Sequence, residues 1–530
     1  MLHIRPPGIH ATAEEREAWI ERVRRDSQTL DSIAKVLDHI RESVADVLQS
    51  AQETISRQLA FPLIPDEVLI RILSYAVECD SSTDTAKELM SLSSVCRRFR
   101  RLLCSAPHLW TKINNDMNGT QAGCFLEHSK DEELFITFRD NETHQRTKQV
   151  LAKVIDHYRR WRTFELSLTV AENRLPTDKM YESLGDISET LPVLHELIFR
   201  RSIFLDGILE IVDHFGEPSG PIDDGGLSHF YEKWDAPNLR IFRVENLIPL
   251  PFQSPSLRLV ELSIELLEPY WSQPRDPLTS LMLFLDSQPS LEILAIVIVE
   301  FEDGTTFPVE RRVTLPALRE LTLHSNALLA NGMSTRSIPG ILRALQTPSL
   351  RKLSLSLPVF ETSDPTLGWI FAHEDCFLNT EELTLDAYMD QPMPVSGFNA
   401  HLDQPIPASR FKLRPLRTII RQFPKLKHLC LSTDKFEVTT EDLEAEPPNI
   451  YPPLEIVHFK NCKAIRVEVI VAFIRCLKDG AHEQWSKFKG IVVEDCKRLN
   501  RDEVVSSLIG LLPEEKIKFL NNSEMMEIDT

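Results

Sequence analysis

The chain predicts an α/β protein in three parts: an N-terminal helix over 1–60, a small all-α module over 61–113, and an irregular α/β solenoid over 114–530. Three observations predict it. Residues 13–60 contain neither Pro nor Gly and place apolar side chains at alternating steps of three and four. Residues 61–113 hold short apolar patterns at helical spacing, interrupted by a polar stretch. From Trp161 onward a string apolar-x-x-apolar-x-apolar recurs eleven times, commonly with Pro two residues before it.

In the first part, Leu30, Ile33, Leu37, Ile40, Val44, Val47 and Ala51 form a seam of about three heptads on a single helix. Trp19 and Val23 extend it loosely. Such a stripe either packs on the neighbouring domain or pairs with a partner helix or a second copy. The helix stops at Phe61-Pro62, because Pro disfavours the α conformation in the residue before it.

In the second part, Pro65 and the acidic pair Asp66-Glu67 open a helix, with carboxylates at the positive end of the helix dipole. Val68, Leu69, Ile72, Leu73 and Tyr75 follow at three- and four-residue spacing. The polar stretch Glu78 to Lys87 separates this helix from a second, with Leu89, Leu92, Val95, Cys96, Phe99 and Leu103. Some fifty residues in short helices make a marginal core, and a unit this small leans on a partner.

The strings IPDEVL at 64–69 with Ile72-Leu73, SSVCRRFRRL at 93–102 and Leu109-Trp110 resemble an F-box. The resemblance implies a helical module that docks on a Skp-family adaptor and, through it, on the cullin scaffold of a ubiquitin ligase. It assigns adaptor binding to Ile64, Pro65, Glu67, Val68, Leu69, Ile72 and Leu73 from the first helix. From the second it assigns Val95, Cys96, Arg97 and Phe99, with Trp110 closing the motif. Ile64 replaces the usual Leu, Phe99 stands where Trp is commoner, and the link Ala76 to Glu88 is longer than usual. The cluster Arg97-Arg98-Phe99-Arg100-Arg101 reads as a solvated helix face, which also suits the family's acidic adaptors.

In the third part, the strings begin at Trp161, Leu194, Leu239, Leu257, Leu291, Leu318, Leu350, Thr380, Leu426, Leu454 and Phe488. At 42% apolar composition one such match means little, whereas eleven in series, broken only at Thr380, mark a repeat. The spacing averages about 33 residues, one strand plus one helix or loop. Pro precedes eight strings, at 192, 237, 255, 289, 316, 348, 424 and 452, where its missing N–H is tolerated at the start of a strand. Helical patterns precede several, over 148–160, 341–346, 416–423 and 467–477. These units resemble irregular, degenerate leucine-rich repeats, as in fungal-type F-box proteins, and Cys462 and Cys496 resemble the buried cysteines of such repeats. Insertions at 215–236, 301–312, 386–411 and 432–451, together with the strand face, are the expected places for a ligand.

Composition excludes several function classes. The chain has 17 Gly and 34 Pro, and no glycine-rich phosphate loop of either common type. The net charge is −20, of which residues 113–530 carry −19; this sign opposes nucleic acid and anionic membrane as partners. Nine scattered cysteines without a C-x-x-C pair indicate neither a disulfide framework nor a zinc site, and with no spanning segment they predict an intracellular protein, cytoplasmic or nuclear. His373-Glu374-Asp375 and the Asp213-His214 pair are the nearest clusters of catalytic residue types, and they read as a solvated loop and a helix end. The sequence therefore predicts no catalytic residue, cofactor or metal. The resemblance to an F-box implies the substrate-receptor subunit of an SCF-type ubiquitin ligase, holding an unidentified protein substrate on the repeat domain for ubiquitin-dependent degradation. The alternative is a leucine-rich-repeat binding scaffold whose hairpin is only a cap.

Overall fold

A computed structural model describes residues 12–58, 64–78, 85–139, 144–170, 184–185, 187, 190–203, 231–252, 254, 257–266, 277–299, 312–326, 337–358, 377–388, 411–412, 420, 422–433, 436–437, 452–462, 465–480 and 485–520. Most of each expected insertion, the His373-Glu374-Asp375 cluster and His214 lie outside these residues. The chain forms two compact units, Met1–Ala106 and Pro107–Thr530.

Among its described residues the first unit holds four α-helices: α1 (Ala13–Gln58), α2 (Asp66–Glu78), α3 (Thr85–Val95) and α4 (Arg97–Cys104). The Pro65 carbonyl accepts from the N–H groups of Val68 and Leu69 at 3.1 and 3.0 Å, so helical bonding in α2 starts at the proline itself. The expected second helix of the module is two helices. Cys96 interrupts it in an extended conformation, and its Sγ accepts from the Phe99 N–H at 3.4 Å to cap α4. Leu69, Leu73 and Val77 of α2 pack with Ala86 and Leu89 of α3 and Leu102 and Leu103 of α4 in the core of this unit, each no more than 4% exposed.

Among the described residues the second unit is built, beside two two-stranded sheets, on a fourteen-stranded parallel sheet whose strands lie side by side in chain order. They are β1 (Lys112–Asn114), β2 (Leu134–Arg139), β3 (Trp161–Val170), β4 (Glu196–Ile203), β5 (Ile241–Glu245), β6 (Glu261–Leu266) and β7 (Ile293–Val299). There follow β8 (Glu320–Asn326), β9 (Lys352–Pro358), β10 (Glu382–Tyr388), β11 (His428–Thr433), β12 (Ile456–Lys460), β13 (Gly490–Glu494) and β14 (Ile517–Leu520). Strand neighbours in sequence are neighbours in space, so each strand buries its inward face only against the units before and after it.

The register shows how. One continuous row runs Ile113, Ile136, Phe164, Leu197, Phe242, Leu262, Leu294, Leu321, Leu353, Leu383, Leu429, Val457, Ile491 and Ile517 across the sheet. All fourteen are buried, and each is worth roughly 1.5–3 kcal/mol relative to exposure. The middle residues of ten of the eleven strings fall in this row. The exception is the string from Leu257: β6 aligns through Leu262, so its frame starts at Leu259, which is fully buried. Three strands, β1, β2 and β14, lie beyond the strings: β2 and β14 have Glu133 and Glu514 at the first apolar position, and β1 has Asn115 at the last.

Of the eight prolines before the strings, Pro255 lies outside the described residues and the other seven sit outside the strands. Pro192, Pro237, Pro289, Pro316, Pro348 and Pro424 each hold the second position of a four-residue turn, closed by the N–H of the buried Leu two residues on; Leu194 donates to Leu191 and Leu291 to Gln288, at 3.4 and 3.2 Å. Pro at that position pre-sets the turn φ, a different reason from tolerance at a strand start. Two units build the same turn without Pro, Phe377–Thr380 and Trp485–Phe488. Thr380 is the one polar residue among these turn-closing positions, and it is fully buried.

Helices complete the apolar layer. The 467–477 pattern is a helix over Val467–Gly480, whose Phe473 ring meets Phe459 of β12 at 6.3 Å. The 148–160 pattern is a helix, α6 (His144–Val154; α5 is Gly119–His128), followed by a 3-10 stretch over Ile155–Arg160. The Trp161 and Trp234 rings meet edge to face at 6.3 Å, and their indole N–H groups donate to the carbonyls of Val154 and Leu184.

Candidate docking surfaces

Helix α2 is apolar on two faces, and only one of them is buried. Leu69, Leu73 and Val77 point into the unit's core, whereas Val68, Ile72 and Tyr75 form an i, i+4, i+7 stripe that is 47, 50 and 68% exposed. Val95 at the end of α3 is also exposed, as is Met90. A helix thirteen residues long gains little from propensity alone, so an uncovered apolar stripe on it is a candidate surface for a partner.

The residues singled out in the sequence divide accordingly. Val68, Ile72, Val95, Cys96 and Arg97 are exposed, as are Pro65 and Glu67 at the start of α2; Ile64 and Phe99 are half-buried. Leu69 and Leu73 are core residues. Trp110 is buried in the second unit, where its ring meets Phe125 edge to face at 5.0 Å and His128 at 4.7 Å.

Two residues that set this geometry escaped sequence reasoning. Arg98 donates through Nε and Nη2 to one Asp66 oxygen, at 3.0 and 2.6 Å, and through Nη2 to the Ile64 carbonyl at 2.5 Å. Arg101 reaches the other Asp66 oxygen at 3.3 Å, and Arg100 Nε donates to the Ser93 carbonyl at 3.1 Å. Part of the basic cluster therefore fastens α4 to the start of α2. The hydrogen bond from Arg98, aided by the charges of Arg98 and Arg101, holds the Asp66 carboxyl below the usual carboxylate range.

The second candidate surface is the polar face of the sheet. Residues alternating with the buried row form a ladder of charges bridging successive strands. Arg200 lies between Glu165 and Glu245, at 3.1 and 3.8 Å, and Arg243 between Glu196 and Glu261, at 2.7 and 3.3 Å. At the C-terminal end the buried Glu494 carboxylate holds His458 and Lys460, both at 2.9 Å. Glu245 and Glu265 face each other across β5 and β6, and burial together with the Glu265 charge pushes the Glu245 carboxyl up. Like charges opposed on a ladder are mildly destabilising. Half-burial pushes the His324 imidazole down.

Cys462 and Cys496 are buried at matching offsets after β12 and β13, each preceded by a residue in the left-handed region, Asn461 and Asp495. The Cys462 thiol donates to the Leu431 carbonyl and the Cys496 thiol to the Phe459 carbonyl, both at 3.4 Å, and interaction with Cys496 together with burial pushes the Cys462 thiol up. Among the described residues no group of His, Cys, Asp and Glu is placed to hold a metal ion, and no helix is long and apolar enough to cross a membrane.

Comparison with known proteins bears on the first surface. No curated protein sequence matches the chain. Residues 61–116 match the family model described as F-box-like, so the segment carrying α2, α3 and α4 is an F-box-like domain.

Proposed function

We propose that this chain is the substrate-receptor subunit of an SCF-type cullin-RING ubiquitin ligase. The observation that carries the proposal is the uncovered Val68, Ile72 and Tyr75 stripe on α2, in a segment that matches the F-box-like family. F-box domains generally bind Skp-family adaptors, and this stripe with Val95 is the apolar surface available for that contact. Leu69 and Leu73 serve docking by holding α2 in place, while Glu67, Cys96, Arg97 and Phe99 flank the contact.

The fourteen-strand unit acts as an irregular leucine-rich-repeat-like solenoid whose charge-laddered face holds a protein target. No chemistry of the chain's own is required. Joining the adaptor-bound module to the target-bound sheet raises the local concentration of target lysines near the ubiquitin-conjugating enzyme.

The test replaces the native protein in cells with a Val68→Glu/Ile72→Glu variant of the full chain. Proteins captured by both forms are the targets, and their half-lives are expected to lengthen several-fold in the variant background. Unchanged half-lives of the captured proteins would show a binding scaffold without a ligase role.

A further inference from the structure

Helix α1 carries an apolar stripe that adaptor docking does not use. With Leu30 at heptad position a and Ile33 at d, all nine large apolar side chains that α1 exposes among the described residues fall at a, d, e or g. Leu30, Ile33, Leu37, Ile40, Val44 and Val47 hold a and d; Ile20, Val36 and Leu48 hold e and g. Each is 50–65% exposed, so the seam is formed but uncovered.

Three features identify what covers it. The first is charge. Between Ser27 and Ser50 seven of the eight e and g residues are uncharged, Arg41 being the exception, while Asp31, Lys35, Asp38, Glu42 and Asp46 lie at b, c or f. The e and g charges are what select a different partner in a coiled coil. Here nothing repels a second copy and nothing codes for another chain.

The second is the branching pattern. Leu30 and Leu37 at a with Ile33 and Ile40 at d is the arrangement that shifts parallel coiled coils from two strands to three or four. Apolar residues at e and g point the same way, because a two-stranded pairing leaves Val36 and Leu48 in water. The third is area. The eight of these side chains between Leu30 and Leu48, with roughly 80–100 Å² each still open, present on the order of 700 Å², within the range per partner of a stable interface. Asp26 occupies the preceding d position, and charge there ends the seam.

We propose that residues 30–51 of α1 assemble with the same segment of further copies of this chain into a bundle of three or more helices. The assembly brings several docking modules and target-binding sheets together, so targets with repeated sites bind by avidity. It rests on α1 alone and stands or falls independently of adaptor docking.

Light scattering on the purified full chain at about 10 μM tests it. The expected mass is that of three or more 60.8 kDa copies. The variant Leu30→Ala/Ile33→Ala/Leu37→Ala/Ile40→Ala is expected to fall to one copy; every substitution raises helix propensity, so loss of assembly is not loss of the helix. Gln28→Asp/Gln49→Asp, on the outer face, is expected to keep the wild-type mass. Co-expressed tagged and untagged wild-type chains are expected to co-purify, and the quadruple-alanine chains to separate. A wild-type monomer or dimer, or a quadruple variant of unchanged mass, overturns the proposal.

Discussion

Truncating Ile72 separates docking from folding. Ile72 is half exposed in the free chain, so a surface on the order of 80 Å² is open to be covered by the adaptor; at about 25 cal/mol per Å² its burial is worth roughly 2 kcal/mol. Ile72→Ala therefore weakens adaptor binding by about 10- to 30-fold. Leu69, three positions earlier, is 1% exposed. Leu69→Ala removes no open surface and leaves a cavity that costs the unit about 2–4 kcal/mol. Titration calorimetry of the full chain with a purified Skp-family adaptor measures the first effect, and amide exchange over Asp66–Glu78 the second. Ile72→Ala is expected to raise Kd without changing exchange, and Leu69→Ala to accelerate exchange. An Ile72→Ala chain that binds like wild type, or exchanges as fast as Leu69→Ala, refutes the assignment of the outer face.

Other perturbations test the fold and its electrostatics. Gly490 has φ +146, and a Cβ there would lie 2.0 Å from the Lys516 carbonyl oxygen; Gly490→Ala is expected to cost at least about 2 kcal/mol in the denaturation midpoint, with faster exchange in β13 and β14. The Thr380 hydroxyl is buried and meets no hydrogen-bond partner among the described residues, so Thr380→Val is expected to stabilise the sheet by about 1 kcal/mol, read in the same denaturation assay. Asp66 has a folded pKa below its unfolded value of about 3.9; its contribution is present above that value and is lost as pH falls through the folded pKa. Between pH 5 and 2 the wild-type Asp66–Glu78 segment is expected to lose protection that Asp66→Asn, already without it, does not lose.

Much of this was legible in the sequence for physical reasons that apply residue by residue. A helix over 13–58 follows from the absence of Pro and Gly and from heptad periodicity, and the turn prolines with their Leu partners mark six units of the sheet. What was not legible depends on three-dimensional register. The frame at Leu257 fits the pattern as well as the frame at Leu259, and only pairing with β5 and β7 decides between them. The break between α3 and α4 was hidden because a Cys thiol is an uncommon cap. In α2 the spacing shows apolar residues at 68, 69, 72, 73 and 75 without showing which stripe faces the core. Arg98 read as a solvated charge because its partner Asp66 lies thirty-two residues away. The charge ladder on the sheet is likewise invisible until residues 18 to 47 positions apart are paired.

The proposed function rests on adaptor binding by the outer face of α2. The most direct measurement is equilibrium binding of the purified full chain to a purified Skp-family adaptor, with wild type beside Val68→Glu/Ile72→Glu. Saturable one-to-one binding by the wild type, lost in a variant that keeps wild-type exchange protection over Asp66–Glu78, is the predicted result. No binding by the wild type, or equal binding by both chains, contradicts it.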